Sequence, residues 1–242
     1  MLATLLVLIF AGATTGSPPH GRIFGGTIAS PGQFPFVASL NNPEQFCDGS
    51  IINKNWIVTA GHCIDAVTPN STVLVGTIYE SSGGTKYNIS KAIQHEAYNS
   101  TTAQNDIGLI QINGEFEFGD EVQAVEFADP EVNASCQAAG WGASETTSFP
   151  EELLYVELVA LSFEQCKDLI ESMDPFYLGS EQVCGYGPSG KGVCFGDSGG
   201  PLVCGGKLAG IVSYTVSACA HGYPDVYVRP LAYADWIDEN TK

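Results

Sequence analysis

From Ile23 to the C-terminus the apolar residues come in short segments, each closed by Gly, Pro, Asn or Asp. Phe36–Leu40, Ser50–Ile52, Trp56–Thr59, Thr72–Val75, Ile107–Ile112, Val156–Leu161, Pro201–Val203 and Leu208–Tyr214 are examples, rich in Val, Ile and aromatic residues. A chain punctuated in this way has little room for long amphipathic helices. Short β-favouring segments at close spacing read instead as an all-β barrel or sandwich. Helical spacing is confined to Phe163–Ile170 and to Leu231–Asn240, where Trp236 and Ile237 offer a docking face. There is no internal repeat and no linker long enough to separate independent domains. The polar, acidic stretch 113–123 is the best candidate for a crossover between two halves. With 242 residues and 44% hydrophobic content, the chain has enough apolar surface for a sizeable core.

The apolar run Leu5–Ala11 is too short to cross a bilayer and fits the core of a secretory signal, although the usual basic flank is missing. Small residues follow it, so 1–16 is read as a signal peptide and 17–22 as a short propeptide; a buried helix is the alternative. Eight cysteines agree with export: Cys47, Cys63, Cys136, Cys166, Cys184, Cys194, Cys204 and Cys219. An even count in a secreted chain implies four disulfides and leaves their pairing open. No CxxC or HExxH is present, so zinc is not expected. Sequons at Asn70, Asn88, Asn99 and Asn133 fit a secreted, extracellular glycoprotein. The net charge of −18 disfavours nucleic acid and anionic membrane as partners. A monomer is expected.

Three local patterns carry chemistry. Gly196-Asp197-Ser198-Gly199-Gly200-Pro201 surrounds a serine with glycines, which lets a carbonyl approach backbone N–H groups. Thr59-Ala60-Gly61-His62-Cys63 ends an apolar strand with a histidine, and Asn105-Asp106-Ile107-Gly108 opens another with a carboxylate. Alone, each is more often a turn, a structural histidine or a strand cap. Together they supply what a weak serine nucleophile needs: a base to take its proton and a carboxylate to orient that base.

In this order, and over Ile23 to Lys242, the chain resembles the chymotrypsin-like serine peptidases. The resemblance implies two packed six-stranded antiparallel β-barrels with a C-terminal α-helix, one covering about 23–118 and the other about 119–242. It implies Ser198 as nucleophile, His62 as base and then acid, Asp106 as orienting carboxylate, and the amides of Gly196 and Ser198 as oxyanion hole. It also implies the pairings Cys47–Cys63, Cys136–Cys204, Cys166–Cys184 and Cys194–Cys219, and a structural role for Gly140-Trp141-Gly142. Arg22-Ile23-Phe24-Gly25-Gly26 matches the family's activation site: cleavage before Ile23 frees an ammonium that pairs with Asp197. Phe24 stands where Val is commoner. Asp48, in Cys47-Asp48-Gly49-Ser50, stands where the family commonly has Gly.

By the same resemblance the specificity (S1) pocket is formed by Gly192, Val193, Phe195, Ser213, Thr215 and Asp225. Trypsin-like members carry Asp where this chain has Gly192, which disfavours a preference for Lys or Arg. Thr215 narrows the pocket, and Asp225 either faces the cavity or is covered by Val193 and Thr215, with the Thr215 hydroxyl as a candidate partner. The set is most similar to elastase-type members and implies cleavage after Val, Ala, Ile or Leu. A broad chymotrypsin- or collagenase-like pocket is the second reading, and a catalytically inactive homologue that only binds is the third. Protein or peptide substrates, protein protease inhibitors and a separate trypsin-like activating protease are the expected partners. No cofactor or metal is expected, since the loop from Thr77 to Lys86, where family members hold calcium, contains only Glu80 as an acid.

Overall fold

The computed structural model describes residues 23–41, 47–143, 151–170 and 178–242. The stretches read from sequence as signal peptide (1–16) and propeptide (17–22, ending in Arg22) lie outside the described residues. The chain runs through β1 (Thr27–Ile28), β2 (Val37–Asn41), β3 (Cys47–Ile51), β4 (Trp56–Thr59), α1 (Gly61–Ile64), β5 (Thr72–Val75), β6 (Thr85–Gln94) and β7 (Gly108–Ile112). It continues through β8 (Ser135–Gly140), β9 (Leu154–Leu161), α2 (Phe163–Ile170), β10 (Gln182–Tyr186), β11 (Pro201–Cys204), β12 (Lys207–Thr215), β13 (Asp225–Val228) and α3 (Ala234–Asn240).

Strands β2-β3-β4-β7-β6-β5 close into one antiparallel barrel, and β9-β10-β13-β12-β11-β8 into a second through the β8–β9 pairing. Closure removes the exposed strand edges that such a polar-turned chain would otherwise present. These are the two six-stranded barrels implied by the motifs. One detail crosses the expected boundary. β1 pairs with β9, Thr27 opposite Tyr155, so the first residues of the 23–118 half belong to the second barrel. The connection between β7 and β8 spans 113–134, longer than the polar stretch 113–123.

The apolar segments fill the interior as their β-branched composition suggests. Ile57, Val58, Leu109 and Ile110 are fully buried in the first barrel, and the same cluster reaches Ile211, Val228 and Ile237 of the second half. Each such side chain contributes roughly 1.5–3 kcal/mol on burial, so the seam between the barrels is core rather than a loose interface. A second cluster holds Leu154, Leu158, Leu202, Tyr227 and Ile23.

Helix α2 starts with a reciprocal cap: Gln165 N–H donates to Ser162 Oγ at 3.1 Å, and Ser162 N–H donates to Gln165 Oε1 at 2.9 Å. The C-terminal helix is shorter than Leu231–Asn240, because Pro230–Tyr233 forms a tight 3-10 turn, led by Pro230, before α3 begins. Ile237 is buried and Trp236 packs at the edge, as their spacing suggests. All four disulfides join the cysteines expected: Cys47–Cys63, Cys136–Cys204, Cys166–Cys184 and Cys194–Cys219.

Candidate active site

Strand register brings the first two candidate residues together. β4 and β7 are antiparallel with Thr59 opposite Gly108, so the chain leaving β4 and the chain entering β7 emerge side by side. Those two stubs carry His62, on α1, and Asp106. His62 N–H donates to Asp106 Oδ1 at 2.8 Å, and His62 Nδ1 lies 2.9 Å from Asp106 Oδ2 and 3.1 Å from Oδ1. Two carboxylate oxygens at Nδ1 select the tautomer protonated there, leaving Nε2 as the acceptor. Burial opposes a charge on His62, but the Asp106 hydrogen bond and charge outweigh it and raise its pKa.

Asp106 is itself buried, and Ser213 Oγ donates to its Oδ2 at 2.6 Å. The resemblance implies Ser213 as part of the pocket; its bond to Asp106 is a second role that no local pattern signals. Asn105, which precedes Asp106, adopts φ +52 and accepts a hydrogen bond from Tyr233 Oη at 2.9 Å. This tether ties the Asp106 segment to the C-terminal turn.

Ser198 arrives from the second barrel. Asp48 N–H donates to Ser198 O at 2.7 Å, and Gly199 N–H donates to Val212 O at 2.9 Å, which clamps the serine between the barrels. Ser198, His62 and Asp106 open onto one cavity of about 400 Å³. Among the described residues neither the Gly196 nor the Ser198 backbone N–H is spent on an internal hydrogen bond. Gly196 adopts φ +99, and a Cβ there would stand 3.0 Å from Gly142 Cα. Only glycine fits that turn without strain. The arrangement can take a proton from a serine hydroxyl and meet a developing oxyanion with two amides.

Of the six expected pocket residues, Phe195, Ser213 and Thr215 line the cavity, with Phe195 77% exposed at its rim. Gly192, Val193 and Asp225 are buried and lie outside that lining. Asp225 accepts Val193 N–H at 2.9 Å, and a Cβ on Gly192 would come within 2.8 Å of Asp225 Oδ2. Burial pushes the Asp225 pKa up to about 8 against the Val193 hydrogen bond, with the charge of Asp197 adding to the rise. The Thr215 hydroxyl does not reach Asp225; it donates to Ser217 O at 3.1 Å. Tyr98, Ser100, Thr101 and Ala103 also line the cavity, from a loop whose sequence carries no pattern pointing to it.

Asp197 is fully buried, held by Cys194 N–H and Gly142 N–H at 2.8 Å each. Burial raises its pKa to about 7. Ile23 is also fully buried, and Gly192 N–H donates to Phe24 O at 3.2 Å, tying the segment after Arg22 to the pocket floor. The four sequon asparagines, Asn70, Asn88, Asn99 and Asn133, are exposed.

The family model named Trypsin matches residues 23–237. Trypsin delta of Drosophila melanogaster is 37% identical over 226 residues, covering 91% of this chain and 88% of that protein. Serine protease 1 of Canis lupus familiaris is 33% identical over 248 residues, covering 98% of each. Among solved structures, HL collagenase superposes with a TM-score of 0.82 at 31% identity, covering 90% of this chain and 98% of that one. Neuropsin, a serine protease expressed in mouse brain, gives 0.80 at 30% identity, covering 90% and 99%.

Proposed function

The chain belongs to the trypsin family of serine endopeptidases, and from that premise we propose that it is a secreted enzyme, made as a zymogen cut at Arg22-Ile23, which cleaves after small to medium aliphatic residues. Ser198 Oγ attacks the scissile carbonyl and passes its proton to His62 Nε2. Gly196 and Ser198 amides receive the oxyanion. His62 returns the proton to the leaving amine, and water repeats the sequence on the acyl-enzyme. Asp106 holds the imidazole and stabilises its charged form. The observation that carries this reading is the hydrogen-bonded line Ser213–Asp106–His62 opening with Ser198 onto one cavity.

The aliphatic preference is supported by Gly192, which leaves the floor without the Asp of trypsin-like pockets, and by Asp225, whose raised pKa keeps it mostly neutral at pH 7. Activation by cleavage is supported by the buried Ile23 beside the pocket. Ile23 sits at φ +50, a torsion that strains a β-branched residue and that disappears when the peptide bond before it is cut. An aliphatic pocket does not cut after Arg22, so a separate trypsin-like protease performs that step. Secretion is supported by four disulfides, and the protein acts as a monomer on protein substrates and is met by protein inhibitors.

A broad chymotrypsin- or collagenase-like pocket is the second reading, favoured by the likeness to HL collagenase. Peptides varied only at the residue before the scissile bond (P1) separate the two: highest kcat/KM for Val, Ala, Ile or Leu is expected, and highest values for Phe, Tyr or Arg would overturn the aliphatic preference. Labelling of Ser198 by a sulfonyl fluoride tests the nucleophile; an unlabelled, cleaved chain would return the protein to the class of inactive binding homologues.

A further inference from the structure

A second buried carboxylate lies beside Asp197. Asp48, on β3, is 2% exposed, and its carbonyl accepts the Thr59 hydroxyl at 2.7 Å while its N–H holds Ser198 O. Its side chain turns away from the cleft toward the end of β8. Trp141 N–H donates to Asp48 Oδ2 at 3.2 Å, and the next residue, Gly142, donates to Asp197 Oδ1 at 2.8 Å. Gly140 measures the gap: a Cβ built there would strike Asp197 Oδ1 and stand 2.6 Å from Asp48 Oδ2, so the two oxygens are less than twice 2.6 Å apart.

Burial raises the pKa of both acids, and the Asp197 charge raises that of Asp48 further. Among the described residues neither is in an ion pair. The titratable groups around them are no substitute for a cation. Glu80 adds negative charge at Asp48, and Asp225 and Tyr227 lie within reach of the Asp197 charge. Lys86 acts on Glu80. Two carboxyls buried this close together disfavour being ionised at the same time, so one of them holds its proton near neutral pH. Ile23 is packed in the same cluster as Ala138, two residues before Gly140 on β8. The residue that becomes the amino terminus is therefore already buried in the core of the barrel whose strand β8 leads to Gly140.

We propose that the ammonium freed by cleavage before Ile23 is received by Asp48 and Asp197 together, with Asp48 a positioning residue that keeps the oxyanion loop assembled into alkaline solution. This rests on the activation reading above and adds the second acceptor. One ammonium, one carboxylate and one carboxylic acid make a neutral buried cluster. As pH rises, the proton of the carboxylic acid leaves first. The ammonium then has two anionic neighbours, each of which favours its charged form and moves its own deprotonation to higher pH. With Asp197 alone, the second charge is missing.

The test compares cleaved wild type, Asp48→Asn and Asp48→Gly. The pH dependence of kcat/KM is followed on a peptide with Val before the scissile bond, and the Ile23 α-amine is titrated separately by its rate of carbamylation with cyanate. The alkaline midpoint and the amine pKa are both expected to fall by ~1 unit or more in each variant. Midpoints unchanged in the variants would overturn the proposal, because a merely structural role for Asp48 changes amplitude or stability and not the amine. Should Asp48→Asn fold poorly, Asp48→Gly, the residue common in the family at this place, carries the same comparison. A wild-type chain equally active before and after cleavage defeats the activation reading, and the amine titration still decides whether Asp48 meets the terminus.

Discussion

Replacing Asp225 by Asn tests how the pocket is tuned. The carboxyl is 4% exposed, bonded to Val193 N–H, packed against Gly192 and outside the cavity lining. With a pKa of about 8, it is about one-tenth ionised at pH 7 and nine-tenths at pH 9. An ionised carboxylate ~6 Å from a substrate ammonium is worth roughly 3 kcal/mol at an effective dielectric constant near 20, or about a hundredfold in kcat/KM. Cleavage after Lys therefore follows the ionised fraction, while cleavage after Val is indifferent to it. The assay is the ratio of kcat/KM for two peptides that differ only in Lys or Val before the scissile bond. Groups that titrate in every turnover, His62 among them, cancel in that ratio. The ratio should rise about tenfold between pH 7 and 9 in the wild type and stay level in Asp225→Asn. A level wild-type ratio, or an equal rise in the variant, would refute the reasoning. Stability offers an independent reading. A carboxyl whose folded pKa lies above its ordinary 3.8 contributes fully below about pH 4 and loses that contribution as pH climbs toward 8. Asp225→Asn removes this slope, which is at most ~1.4 kcal/mol per pH unit, and thermal melts at pH 5 and 8 measure it.

Ser213→Ala removes a 2.6 Å charge-assisted bond to buried Asp106, a loss of roughly 1.5–3 kcal/mol. We expect kcat/KM to fall about 10- to 100-fold, and its acid limb to move to higher pH because a less satisfied Asp106 holds the His62 proton more strongly. Gly196→Ala forces a side chain onto φ +99 against Gly142, and should lower kcat by roughly a hundredfold with a smaller change in KM; an unchanged kcat would mean that this amide does not meet the oxyanion. Tyr233→Phe frees Asn105 from its 2.9 Å tether, and is expected to cost about 1 kcal/mol in stability with a several-fold loss in kcat, measured by denaturant melts and steady-state kinetics.

The strands whose apolar residues run together were legible, and Trp56–Thr59 and Thr72–Val75 match β4 and β5 residue for residue. β6 was not, because polar residues interrupt Thr85–Gln94 and none of its residues is fully buried; pairing with β5 and β7 holds it, with Tyr87, Ile89, Ala92 and Ile93 half-buried against the core. The chemistry behaved likewise. His62, Asp106 and Ser198 stand in motifs whose neighbours announce them. Tyr98 stands in ordinary company, and nothing beside Ser213 announces its bond to Asp106; only approach from other strands and loops gives the one its place in the cavity wall and the other that second role.

Asp48 marks the division most plainly. Composition, turn residues and a few motifs were enough to determine an all-β class, barrel or sandwich, a disulfide-linked chain and, through the resemblance those motifs carry, the family of chemistry, because each depends on local backbone preference or on residues adjacent in the chain. The direction in which the Asp48 side chain points, the covering of Asp225 and the meeting of Ser213 with Asp106 were decided by the folding of two barrels against each other. Such contacts join residues far apart in the chain, and the low-dielectric environment that shifts their protonation exists only after the core has closed around them.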